Sequence, residues 1–72
     1  MKDKEFLEWI EKQYNDLCKP YALDHEIVQH LLDSLDIWQK NPDNDVLRSR
    51  GDWKWIKAQE LTGKLNRLLE PF

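Results

Sequence analysis

The chain has 72 residues, 40% of them hydrophobic and 35% charged, with a formal net charge of −3. That length suits one small domain over residues 1–72, too apolar for a disordered chain and too polar for a membrane protein. No apolar run approaches the roughly 20 residues of a bilayer span; with no signal-like apolar region after the charged Met1–Glu5 start and a single Cys18, the expectation is a reducing, cytoplasmic compartment.

Apolar residues recur at spacings of three and four rather than two, and β-branched residues are sparse. The chain therefore reads as all-α, a small bundle of three main helices plus one short connecting helix. The first helix is expected over 3–18. Phe6, Leu7, Ile10, Tyr14, Leu17 and Cys18 share one arc roughly 120° wide, Glu5, Glu8, Glu11 and Lys12 fill the far side, and Pro20 stops it. Trp9 falls outside the stripe, near Glu5 and Asp16.

The second helix is expected over 24–40. Asp24 suits the cap, and Leu23 with Val28 hold the positions of a hydrophobic staple. Ile27, Val28, Leu31, Leu32, Leu35 and Trp38 form its apolar stripe, while His30 and Ile37 sit together off it. Asn41 suits a left-handed cap at its end. Asn41-Pro42-Asp43 also reads as a fresh start, giving either a short helix at 42–50 that Gly51 closes or an ordered loop with Val46 and Leu47 pinned to the core. Asp52 caps the last helix, expected over 52–69 with Ala58, Leu61, Leu65, Leu68 and Leu69 inward and Trp55 at the edge. Gly63 costs that helix about 1 kcal/mol relative to alanine, which a close helix crossing would explain.

Charge is divided along the chain. Residues 1–45 hold eleven acids and five lysines (−6), whereas residues 46–72 hold six bases and three acids (+3). Such an asymmetry holds helices together or faces partners.

Candidate chemical motifs fail on spacing. His25 and His30 are five apart, about 140° round a helix, where a zinc-binding pair needs four. Cys18 with either histidine lacks an orienting third residue, and reads as a small core side chain. Asp43-Asn44-Asp45 fits the opening of a calcium loop, but Leu47, Arg48 and Lys54 occupy the next required positions. Arg50-Gly51-Asp52 matches an adhesion tripeptide and is explained equally by a closing glycine and a capping aspartate. Neither an enzyme, a metal nor a cofactor is expected.

The remaining signal is a face. Trp53, Ile56, Lys57, Lys64 and Arg67 lie opposite the leucine stripe of the last helix, interrupted by Glu60. Lys54 and Lys57 stand in its first turns, where the dipole disfavours cations. Trp53 and Ile56 either form an exposed apolar centre with a basic rim, or pack against the first helix beneath snorkelling lysines. Four tryptophans exceed what a small three-helix core needs, which leaves Trp9 and Trp53 as surplus beside Trp38 and Trp55.

The expected function is a small protein-interaction module: an adaptor, inhibitor or regulatory protein of a type common in phage and mobile elements. Its partner would be a protein with an acidic or apolar surface, met by Trp53, Ile56, Lys57, Arg48, Arg50, Lys64, Arg67 and Trp9. The alternative is a nucleic-acid-binding regulator that uses the basic last helix. The net negative charge and the lack of a base-reading cluster count against it. A homodimer is compatible with both.

Overall fold

A computed structural model describes residues 3–19 and 23–70. In chain order they form α1 (Asp3–Leu17), α2 (His25–Lys40), a 3-10 turn (Pro42–Asn44), α3 (Asp45–Arg50) and α4 (Trp53–Leu69). The described residues contain no strand. The chain is all-α, as its periodicity predicts. Pro20 and Pro71 lie outside the described residues.

Caps set the boundaries. The Asp24 carboxylate accepts from the backbone N–H groups of Glu26 and Ile27, leaving His25 as the first helical residue. Asn41 is extended (φ −65°, ψ 122°) rather than left-handed. Its backbone N–H returns to the Trp38 carbonyl at 3.4 Å and ends α2, while its side chain accepts from Asp43 N–H and opens the following 3-10 turn. Gly51 does take the left-handed conformation, φ 64°, and the backbone N–H of Asp52 returns to the Leu47 carbonyl at 3.0 Å. Asp52 then caps α4 by accepting from Lys54 N–H at 3.0 Å.

Helix α4 is the hub. It packs closely on both α1 and α2, which approach each other less closely. Trp38, near the end of α2, stacks on Trp55 at the start of α4 and on Phe6 at the start of α1. Thus α1 and α4 begin at one end of the bundle and run together, with α2 antiparallel to both. The core joins Leu7, Ile10 and Leu17 of α1, Val28, Leu31, Leu35 and Trp38 of α2, Leu47 of α3, and Ala58, Leu61 and Leu65 of α4. Removing each large aliphatic side chain from water contributes roughly 1.5–3 kcal/mol.

Buried polar atoms at this end are satisfied. The Trp38 indole N–H donates to Asp3 at 3.2 Å, and the buried Asn44 amide donates to the Trp38 carbonyl at 2.8 Å. The second bond ties the 3-10 turn to the end of α2.

Several expectations from the stripes are corrected. Cys18 is exposed, because α1 ends at Leu17 and the thiol sits past the last helical turn. Ile27 is exposed in the first turn of α2, on the edge of the stripe away from α4. Leu23 is exposed too, so the staple against Val28 does not close. Val46 is exposed because a six-residue helix turns only one of two adjacent residues inward, and that one is Leu47. Gly63 makes no crossing: a Cβ placed there meets nothing within 4 Å.

Candidate functional site

The residues singled out on α4 are organised by its two packing edges. Toward α2, Thr62 accepts from the Gln39 amide at 3.1 Å, and Gln59 donates to the Gln39 carbonyl oxygen at 3.0 Å. Toward α1, Lys57 forms an ion pair with Glu11, and the Lys64 ammonium lies 5.7 Å from the centre of the Tyr14 ring. Between these edges, away from Ala58, Leu61 and Leu65, runs an outward strip of Trp53, Ile56, Glu60, Gly63 and Arg67.

Trp53 is 54% exposed and Ile56 51%. They stand one helical turn apart, and neither belongs to the buried core cluster. Of the two arrangements the sequence allows, the exposed one holds for these side chains. The lysine half of the other arrangement also holds in part, since Lys57 leans across to α1 and is partly covered there. Further along the strip, Gln59, Glu60, Gly63, Lys64 and Arg67 line a shallow, open depression. The missing side chain of Gly63 lowers its floor.

The cations differ in how far they are committed. Lys57 is paired with Glu11, and Arg50 contacts Asp52 at 3.2 Å. Lys64 has the face of Tyr14 beneath it. Arg48, Lys54, Lys64 and Arg67 have no ion-pair partner among the described residues. The Tyr14 phenol is raised above its ordinary value by its hydrogen bond with the Cys18 side chain and by partial burial, with Arg67 pulling the other way. The seam between α1 and α4 is therefore closed by polar contacts, and the apolar centre stands outside it.

Trp9 does not join this strip. Its ring lies 6.4 Å from Phe6, which itself stacks on Trp38 of α2. Trp9 thus occupies the flank of α1 opposite Glu11, toward α2. His25 and His30 are both exposed on α2. No group of three or more His, Cys, Asp or Glu side chains among the described residues could hold a metal ion. No described helix is long and apolar enough to cross a membrane.

Sequence reasoning passed over Ile37, the most exposed large apolar residue described, at 72%. Its place off the α2 stripe was the available signal. Comparison of the chain with protein families, with characterised proteins and with solved structures finds no match.

Proposed function

We propose that the chain is a small, non-catalytic protein-interaction module that docks an acidic protein surface through the outward strip of α4. One observation carries this reading: two large apolar side chains, Trp53 and Ile56, are more than half exposed side by side on a helix that has a fully buried stripe of its own. An exposed indole costs a folded chain solubility without adding to its core, and tryptophan is the residue most enriched among binding hot spots. Further along the same helix, past Glu60, Arg67 has no ion-pair partner among the described residues and Lys64 lies over the Tyr14 ring without one, so the far end of the strip is basic and suits an acidic counterpart. Roles as an adaptor, an inhibitor or a phage-type regulator are finer versions of the same proposal.

The nucleic-acid alternative draws less support. Two of the six bases in residues 46–72, Lys57 and Arg50, are engaged with carboxylates of the chain itself, and Glu60 interrupts the strip. Phosphate binding needs several free cations facing one way.

The two readings separate on salt. A partner captured from an extract of the source cells is purified and its affinity measured across a range of ionic strengths. A Trp-anchored protein interface changes modestly with salt. A steep loss of affinity, several-fold for each doubling of salt, together with capture of nucleic acid, would overturn the proposal.

A further inference from the structure

Gly63 stands on the same outward face of α4 as Trp53 and Ile56, and nothing within the chain calls for it. Its backbone is ordinary helix, and a Cβ placed there meets nothing within 4 Å. Alanine would therefore fit, and would favour the helix by about 1 kcal/mol. What the glycine does create is a recess. With Gln59, Glu60, Lys64 and Arg67 it lines an open depression of about 300 Å³. The strip thus has a projection at one end, the exposed Trp53, and a hollow at Gly63, ten residues or about 15 Å further along.

We infer that the strip binds the same strip of a second copy of this chain. The two α4 helices lie antiparallel about a two-fold axis level with Ala58, and Trp53 of each chain enters the Gly63 hollow of the other. The inference rests on reading the strip as a docking surface, and gives that surface an occupant of its own, which an outside partner would have to displace. The order of residues along the helix selects both the second copy and its direction. Projection and hollow share one face, so turning the strip end for end sets each opposite the other. Both apolar side chains are then covered at once, with Ile56 level with Glu60 of the other chain. Parallel packing would set Trp53 against Trp53, leave both hollows empty and place every cation beside its own copy.

The charges fit the antiparallel register. Glu60 has no ion-pair partner among the described residues. It stands three residues after Lys57 and four before Lys64, the two residues that reach α1, so it lies on the α1 side of the strip. A two-fold axis keeps that side of one strip against the same side of the other. Glu60 then comes within one residue of the level of Lys57 in the other chain, and adds a second carboxylate to the one that Glu11 supplies. Arg67 borders the hollow and is likewise unpaired, which places a cation beside the entering indole. One helix pair is a small interface beside the roughly 1,200–2,000 Å² of stable complexes, so the dimer should form at micromolar concentration or above.

The test is sedimentation of the purified full chain from micromolar to millimolar concentration, with circular dichroism to check that each variant stays helical. The wild type should pass from the mass of one chain to that of two and stop there, because a two-fold contact closes on itself. Trp53→Ala removes the projection and should weaken the dimer at least about tenfold. Gly63→Leu fills the hollow and should weaken it as much, although it adds apolar surface to the strip. An equimolar mixture of the two variants should dimerise more strongly than either alone, since Trp53 of the Gly63→Leu chain meets an intact hollow in the other.

A wild type that stays monomeric throughout, or that grows beyond a dimer, would overturn the inference. So would a Gly63→Leu chain that dimerises as well as the wild type, or a mixture no stronger than its components. None of these results touches the reading of the strip as a protein-docking surface. That reading fails separately, if a captured partner binds a folded Trp53→Ala chain as tightly as the wild type.

Discussion

Trp53 and Leu65 share one helix yet answer to different physics. Leu65 is fully buried in α4, as Leu31 is in α2, so truncating either leaves a cavity as well as losing transfer energy. Leu31→Ala and Leu65→Ala should each destabilise by about 2–5 kcal/mol, read as shifts in the midpoint of denaturant unfolding. For a chain whose whole stability is about 4–10 kcal/mol, either loss brings it near unfolding. Trp53 is only partly covered, and its truncation should cost about 1–2 kcal/mol. Equal losses at Trp53 and Leu65 would return the indole to the core.

Tyr14 makes a prediction of a different kind. The Cys18 side chain and partial burial favour its neutral phenol in the folded chain. A folded pKa raised above the ordinary 10.0 means that this stabilisation is complete below pH 10.0 and is lost as pH rises through the higher folded value. In a phenolate absorbance titration, the step that Tyr14→Phe removes should lie above that ordinary value. Cys18→Ala should bring it down. Arg67→Gln should move it further up, because the guanidinium favours the phenolate.

Among the elements, the helices and their punctuation were legible because capping is local chemistry. Asp24, Gly51 and Asp52 act where their residue types place them. Asn41 shows the limit. The same residue type serves a left-handed end or an N-cap, and Pro42 decides between them by pushing the preceding backbone extended. Stripe centres were equally legible, since Leu31, Leu35, Leu61 and Leu65 sit at the middle of their arcs. Stripe edges were not. Burial of Cys18, Ile27 or Val46 depends on where a neighbouring helix ends, and a single-helix wheel holds no information on that. The exposed pair Trp53 and Ile56 could be placed on one face of α4 from spacing alone. Whether α1 covered it could not, because Lys57 reaching Glu11 is a contact between helices distant in sequence.

Gly63 belongs to the same scale. It occupies the outer face of α4 with open space around it, so no packing contact within the chain offsets its conformational cost. Gly63→Ala should stabilise the fold by about 1 kcal/mol, seen as a raised melting temperature. A destabilised variant would mean that the backbone there needs the freedom of glycine.

At the scale of the whole molecule, the division of charge along the sequence has two consequences. Part of it is consumed internally, where the α1 acid Glu11 and the α4 base Lys57 close the seam between their helices. Surface ion pairs of this kind contribute little, about 0–1 kcal/mol, so the seam is held chiefly by the leucines beneath it. The remainder faces outward, with Lys64 and Arg67 free of ion pairs among the described residues at the far end of α4. A bundle with a leucine core buried on α4's inner side has no folding need for an indole on its outer side.

The most direct test pairs unfolding with binding in one variant, Trp53→Ala, against a partner captured by the wild-type chain. Affinity should weaken by about 2 kcal/mol or more, roughly thirtyfold, while the fold loses no more than about 1–2 kcal/mol of stability. Affinity unchanged in a folded Trp53→Ala chain would contradict the docking role of the α4 strip.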